Sequence, residues 1–505
     1  MQITIDGNSL TIDDLTAIAY DFATVALDDT ARARVVAARA VVDEFADRDI
    51  PAYGINTGFG DFAEVRIPHQ SLRELQLNLL RSHAAGVGDP LTIPVVRATM
   101  ALRANVLAKG YSGIRPDTLD LLIAALNARV HPVVPSRGSV GASGDLAPLA
   151  HLSLVLIGEG EAWLGDRRVP GADAMRAAGL EPTHLEPKEG LALINGTQPS
   201  TALLGLALAA AERLARAADV TAALSIDGLQ GSSKPFDARI HDARPFAGQA
   251  ASADNLRRLL GGSGINAAHA NCGRVQDAYS MRCAAQVHGA AREALRFVRQ
   301  VFDVEANAAT DNPMVFADTR EIVSGGNFHG APIAVAADML CLAVAQLATI
   351  SERRSDRLVN PSSSGLPAFL TRHGGLQSGL MMAQVTAAAL TSELKTVSHP
   401  ASVDTIPTSG NREDHVSMSM AAGLKAMRAV ELATQVLAVE VLCAAQAHDL
   451  LRPLTSSSPL VRVHDLVRQH VPMLEHDRPP ARDLATIATL IAAGEIERAC
   501  VMKVN

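Results

Sequence analysis

Apolar positions fall along most of this chain in long runs of helical rather than alternating character. Beyond Tyr111-Ser112-Gly113 the pattern predicts helices over Pro116 to Val130, Leu146 to Ile157, Pro199 to Leu224, Tyr279 to Val304, Ala331 to Leu358, Gln377 to Val397 and His415 to Leu451. Several of these exceed the usual globular length of about 10–14 residues, which predicts an elongated bundle. Ala331 to Ile350 is almost continuously apolar, but it holds Asp338 and Gln346 and runs into Ser351-Glu352-Arg353-Arg354. That predicts a buried core helix rather than a membrane span.

Ahead of Tyr111 the pattern is mixed. Ile3-Thr4-Ile5 and Leu10-Thr11-Ile12 flank Asp6-Gly7-Asn8, which predicts a small hairpin. Asp28-Asp29-Thr30 opens a helix running to about Asp47, and Ser71 to Ala85 is a second one. Between them Pro51 to Gly60 carries three glycines and is a loop. Prolines 132, 135, 479 and 480 mark joints, and Arg167 to Lys188 is an irregular excursion. The expected class is all-α, with a smaller mixed N-terminal domain over residues 1–110 and a long-helix bundle over 111–505.

Composition sharpens this picture. Of the 505 residues, 48% are hydrophobic but only 3% aromatic, and alanine-rich runs are frequent, which favours helices packed through small side chains. A net charge of −8 argues against nucleic acid or an anionic membrane as partner. Cys272, Cys283, Cys341, Cys443 and Cys500 are scattered without a CxxC pair, so neither a zinc site nor a disulfide framework is suggested. The first residues, MQITIDGNSLTIDD, lack the basic and apolar segments of a signal peptide. A cytoplasmic protein without a metal is expected.

Chemistry concentrates in Gly138-Ser139-Val140-Gly141-Ala142-Ser143-Gly144-Asp145-Leu146-Ala147-Pro148-Leu149. Three glycines in seven residues predict a tight, open backbone, and Asp145 is placed to cap the helix that follows. In such a backbone the Gly144 nitrogen can attack the Ala142 carbonyl carbon. Loss of water from that ring and from the Ser143 side chain leaves a methylidene-imidazolone, an electrophile that no standard side chain supplies. A helix starting at Leu146 would direct partial positive charge at it. Ala-Ser-Gly by itself arises by chance roughly once in several chains of this length. The serine-hydrolase pattern GxSxG is not met.

The longer run GSVGASGDLAPLAHLS resembles the signature of the aromatic amino acid ammonia-lyases. Further matches extend the resemblance from Tyr53 to the Asn411–Met418 stretch: YGINTGFG, LALINGTQ, QDAYSMR, SGGNFHG and TSGNREDHVSM. It implies the helical architecture of the aspartase/fumarase class, a homotetramer whose sites draw on three chains, and 4-methylidene-imidazole-5-one (MIO) formed from Ala142-Ser143-Gly144. It implies that Tyr53 takes the β-proton of an amino acid substrate. A free tyrosine titrates near 10, so this role calls for a lowered pKa, as from a nearby arginine, or for an unusually acidic proton. Asn195 is implied to hydrogen-bond the MIO carbonyl or the substrate amine, and Phe328 to pack on the ring.

Gln276, Tyr279 and Arg282 match the QDxYSxR motif, and on a helix they share an arc of roughly 120°. Arg282 suits a bidentate grip on the substrate carboxylate, with Gln276 and Tyr279 orienting substrate or electrophile. Substrate choice is implied to lie in His83 and Glu413. Ser82-His83 has the histidine-specific pattern, where tyrosine lyases show His-Leu and phenylalanine lyases an aromatic followed by Leu. Glu413 is either an acid in a helix's first turn or a partner for an imidazole. The expected reaction is deamination of L-histidine to urocanate and ammonia; the alternative is a lyase or aminomutase for another aromatic or imidazole amino acid. Arg412 stands where glutamine is expected, and its charge beside Glu413 bears on that carboxylate's pKa or reach.

Overall fold

The structure, a computed structural model, describes residues 1–47, 51–58, 60–270, 273 and 275–505. Phe59 of the glycine loop and Cys272 lie outside the described residues. Contacts divide the chain into two compact units. Helices dominate both, as the apolar pattern predicts.

The first unit comprises residues 1–209, 299–338 and 400–424. It opens with a parallel strand pair, Gln2–Ile5 with Thr24–Leu27, in the register Ile3 to Val25 and Ile5 to Leu27. The predicted hairpin is therefore absent. Asp6 closes a local turn by accepting from the Asn8 and Ser9 amides, at 2.7 and 2.9 Å. Thr11 then starts the helix Ile12–Tyr20 through a capping box with Asp14. A parallel pair needs a crossover, and this helix provides it.

The helix expected to open at Asp28-Asp29-Thr30 is Asp29–Ala46, and Asp28 caps it, accepting from Thr30 and Ala31. Val41 and Val42 of that helix pack with Ala52, Ile55, Leu72 and Val315. This cluster brackets Tyr53 between two core anchors and ties its loop to the start of the helix Leu72–His83. Helix Ile93–Ala108 is buried almost throughout and packs against Ile12–Tyr20 on one side of it in sequence and Pro116–Asn127 on the other. The boundary expected near residue 110 thus falls inside this unit. Within the excursion expected over 167–188, Arg167–Pro170 pairs with Glu161–Leu164, and a short helix, Gly171–Ala177, follows.

The second unit comprises residues 210–298, 339–399 and 425–505. Its interior pairs its charges. Arg354 and Glu440, both fully buried, form an ion pair that Ser225 Oγ completes at 2.6 Å. Asp219, also fully buried, takes His288 Nδ1 at 2.7 Å and Arg292 at 2.6 Å. Removing one partner of such a pair leaves an uncompensated charge, a loss of about 3–5 kcal/mol. The stretch expected as one helix from Tyr279 is two, Tyr279–Arg282 and Ala284–Glu305, with Cys283 between them. Gln276 precedes the first of these. The three predicted positions therefore do not share one helical face, because Ala278 is extended and starts the helix only at Tyr279.

The chain passes between the units five times, within the helices Gln198–Gly228, Ala284–Glu305, Ala331–Val359 and Ser419–Leu450 and once between helices, at His399-Pro400. The third and fourth of these helices are long and apolar enough to cross a membrane, but 67% and 83% of their most apolar stretches are buried in the protein. Alanines line the covered faces, among them Ala207, Ala211, Ala218, Ala422, Ala429 and Ala433.

Candidate active site

The glycine loop is gripped at both ends. Upstream, Val140 O accepts from the Met418 amide at 2.7 Å, and Gly141 O accepts from Ser417 Oγ at 2.8 Å and the Gly330 amide at 3.1 Å. Downstream, the Asp145 amide donates to Gly196 O at 2.8 Å, and Asn195 Nδ2 donates to Ser143 O at 2.9 Å. Gly141 and Gly144 both take left-handed backbone, with φ of +67° and +70°. A Cβ at Gly141 would strike the Ser417 and Ser419 hydroxyls, and one at Gly144 the Gly196 backbone. Only glycine permits this approach, which folds Ala142-Ser143-Gly144 back between two walls.

Asp145 stands at the start of the helix Leu146–Leu156, but its carboxylate does not cap that helix. It accepts instead from Ser139 Oγ at 2.6 Å and from the Ser200 amide, in the first turn of Gln198–Gly228, at 2.8 Å. Its predicted capping role is thus met at a neighbouring helix, whose first-turn Ser200 N–H has no partner within that helix.

Asn195 ends the short helix Glu189–Ile194. Its backbone is held by Arg103, a residue that sequence reasoning missed. Arg103 is fully buried and donates from Nη1 to Asn195 O at 2.8 Å and to Gln198 Oε1 at 2.6 Å, and from Nη2 to Ala192 O. Burial pushes its guanidinium down to about 10, with Asp311 pulling it back up. The available signal was two cations, Arg97 and Arg103, inside the otherwise apolar helix IPVVRATMALRANVLA. Asn195 Oδ1 is buried without a hydrogen-bond partner among the described residues. An orphaned acceptor beside Ser143 calls for a donor from outside the chain.

A cavity of about 450 Å³ opens on this frame. Tyr53, His83, Ala142, Ser143, Asn195, Phe328 and Glu413 all line it, so the structure brings together most of the predicted site. Glu413 is not in the first turn of a helix, since the helix that follows starts only at Ser419. It sits on a loop bridged to Thr408, and its carboxylate accepts from Ser143 Oγ at 2.7 Å, Thr408 Oγ1 at 2.5 Å and Ser409 Oγ at 2.9 Å. Burial raises its pKa, but these hydroxyls and His83 outweigh that and hold it below the ordinary carboxylate range. Arg412 also lines the cavity.

His83 ends the helix Leu72–His83, with Nδ1 2.9 Å from Leu79 O. A carbonyl only accepts, so Nδ1 carries the proton and Nε2 of the neutral ring is an acceptor. Burial holds its pKa below the ordinary value, against Leu79 O and Glu413. For Tyr53 the pKa shift is upward. Burial pushes its phenol up, and Glu413 adds to the rise, while the Gly60 amide donating to its oxygen works the other way. A lowered pKa, one of the two conditions set for its role, does not arise from these residues, because burial disfavours the phenolate and the Glu413 carboxylate adds to that.

Gln276, Tyr279 and Arg282 belong to the second unit and are not among the residues lining this cavity. Gln276 and Arg282 line another, of about 620 Å³. The Arg282 guanidinium lies 4.6 Å from the Tyr279 ring centre, and Tyr279 is 71% exposed. Arg282 Nε is buried without a hydrogen-bond partner among the described residues.

A model of the aromatic amino acid lyase family matches residues 10–469. Histidine ammonia-lyase of Anaeromyxobacter sp. (strain K) is 56% identical over 504 residues, covering 98% of this chain and 99% of its own. The crystal structure of histidine ammonia-lyase from Trypanosoma cruzi is similar with a TM-score of 0.93 at 46% identity, covering 99% of this chain and 95% of its own. Tyrosine aminomutase from Streptomyces globisporus is similar over 100% of both chains, with a TM-score of 0.95 at 37% identity.

Proposed function

The chain belongs to the aromatic amino acid lyase family, and from that premise we propose that it removes ammonia from L-histidine without oxidation and releases trans-urocanate. It is a carbon–nitrogen lyase of the ammonia-lyase kind. The observation that carries the choice of substrate is the pairing, in one cavity, of the Glu413 carboxylate with a His83 ring whose Nε2 is an acceptor. An imidazole has an N–H to give to either; a phenyl ring has none, so it would leave the His83 acceptor without a donor and offer nothing to the Glu413 carboxylate. A site built to hydrogen-bond its substrate discriminates against such an analogue by around 10⁴.

Ala142-Ser143-Gly144 is the precursor of MIO in this reading. The fit is supported by the doubly clamped backbone, by the glycine-only approach of Gly144 to Gly196, and by the unpartnered Asn195 Oδ1. Once formed, MIO supplies an electrophilic methylene that activates the substrate toward loss of its amino group. Asn195 Nδ2 holds the Ser143 carbonyl, and its Oδ1 takes a donor from the substrate amine. Phe328 packs beside the tripeptide. Glu413 and His83 orient the imidazole and bring the β-carbon to Tyr53.

Tyr53 removes the β-proton. Burial and Glu413 both favour its neutral form, so its ionisation depends on positive charge arriving with the substrate ammonium or from another copy of the chain. Arg282, with Gln276 and Tyr279 beside it in the motif, is the natural source, since these residues do not line the Tyr53 cavity of their own chain. The working enzyme is in this reading a cytoplasmic homotetramer in which Arg282 of one copy clamps the α-carboxylate bound at another. Urocanate formation followed by absorbance, beside cinnamate and coumarate formation, tests the proposal. Comparable rates on histidine, phenylalanine and tyrosine would overturn it, as would re-addition of the amine without net release of ammonia.

A further inference from the structure

The hydroxyl of Ser143 is already engaged. It donates to Glu413 Oε1 at 2.7 Å, while Thr408 and Ser409 hold Oε2 at 2.5 and 2.9 Å. Both carboxylate oxygens are therefore fixed, and Oε1 is aimed at the tripeptide. Making the methylene from Ser143 requires two bonds to break, Cα–H and Cβ–Oγ. The Cα is only two bonds from Oγ, so a carboxylate in contact with Oγ is within reach of both departing groups. On the other side, Asn195 Nδ2 donates to Ser143 O at 2.9 Å. A donor on that carbonyl stabilises the negative charge that develops there as the adjacent Cα proton leaves.

We infer that Glu413 has an earlier task than substrate recognition: it carries the proton in the dehydration of Ser143 that matures the chain. This rests on the reading that Ala142-Ser143-Gly144 becomes MIO. The Glu413 carboxylate takes the Cα proton, and the C–H electron pair forms the Cα–Cβ double bond. The Cβ–Oγ bond breaks with its pair on oxygen. Glu413 returns the proton to Oγ, which departs as water with the hydrogen it already bore. Glu413 ends as the carboxylate it was, and no oxidant or reductant is consumed. Departure of that water also frees Oε1, so maturation unmasks the acceptor proposed for the substrate ring.

The test is the intact mass of the full-length chain, made by cell-free synthesis so that its age is known and sampled over time. The wild type should lose two waters. Glu413→Gln keeps the shape but cannot cycle a proton, and its dehydration of Ser143 should slow by about 10² or more, the ordinary weight of general acid–base catalysis. A folded E413Q chain, checked by circular dichroism, that loses both waters at the wild-type rate would overturn the inference. If E413Q fails to fold, Ser409→Ala decides. It removes one of the hydroxyls that lower the Glu413 pKa, so the midpoint of maturation rate against pH should move up; an unmoved midpoint would overturn the inference. Tyr53, His83, His329, Arg412, Asp414 and His415 share the cavity, so the midpoint is read as a difference between S409A and wild type. A wild-type chain that loses no water overturns the MIO reading itself, which is a separate outcome.

Discussion

Replacing Asn195 with alanine removes two atoms with different tasks. Nδ2 donates to Ser143 O at 2.9 Å, and Oδ1 is the buried acceptor without a partner among the described residues. For folding, the change strips one hydrogen bond of Asn195, itself only 3% exposed, and removes the donor from the Ser143 carbonyl, a cost of about 1–3 kcal/mol. The local frame should survive, because Arg103 grips the Asn195 backbone carbonyl rather than its side chain. For catalysis, losing one preorganised donor at a carbonyl that gains negative charge typically costs about 10²–10³ in kcat. We therefore expect a folded N195A enzyme with lowered thermal stability, kcat down by about 10²–10³ and a smaller change in KM. Urocanate appearance is the assay, with rates normalised to the mature fraction by intact mass, so that slow maturation is not mistaken for slow turnover. Asn195→Asp places an acceptor against the Ser143 carbonyl and should be at least as damaging. A mature N195A enzyme within tenfold of wild type would refute the role given to this side chain.

His83→Leu removes an imidazole acceptor from the cavity; turnover of histidine should fall and relative activity on phenylalanine or tyrosine rise, by parallel assays of urocanate, cinnamate and coumarate. Burial holds His83 below its ordinary value of 6.5, so the unfolded chain takes the proton first as pH falls. Its contribution to stability is full above about 6.5 and is lost as pH drops through the lower folded value, and thermal unfolding of wild type against His83→Gln across that window should show it. Arg282→Lys keeps the charge but loses the planar fork, and kcat/KM should fall about tenfold or more in steady-state kinetics. If sites draw on several copies, mixing Tyr53→Phe with Arg282→Lys subunits, unfolded and refolded together, should restore part of the activity that each lacks alone; a mixture no better than the mean of the two speaks against shared sites.

Features that depend on near neighbours were legible without a structure. The start of the helix Asp29–Ala46 at Asp28 follows from residues within a turn of each other. The hairpin reading failed for the opposite reason. The partner of Gln2–Ile5 is Thr24–Leu27, beyond a helix that Thr11 starts, and apolar alternation alone does not say which strand pairs with which. The predicted helical face of Gln276, Tyr279 and Arg282 failed because the chain stays extended through Ala278, a backbone choice that the side-chain spacing does not reveal.

By itself the sequence determined the class of the fold and the chemistry available. Long apolar runs rich in alanine require helices that bury against one another, and the closely spaced Gly138, Gly141 and Gly144 permit a tight backbone around Ala142-Ser143. What only the tertiary structure decided is which groups meet. Ser143 and Glu413 are 270 positions apart yet share a hydrogen bond, Arg103 reaches Asn195 across 92, and Asp145 caps a helix that starts more than fifty residues later. The direction of the Tyr53 pKa was likewise undecidable from its motif, since it follows from burial and the nearby Glu413 carboxylate. Hydrogen bonds and desolvation act over a few ångströms of space, whatever the separation along the chain, so their outcome exists only once packing has brought the partners together.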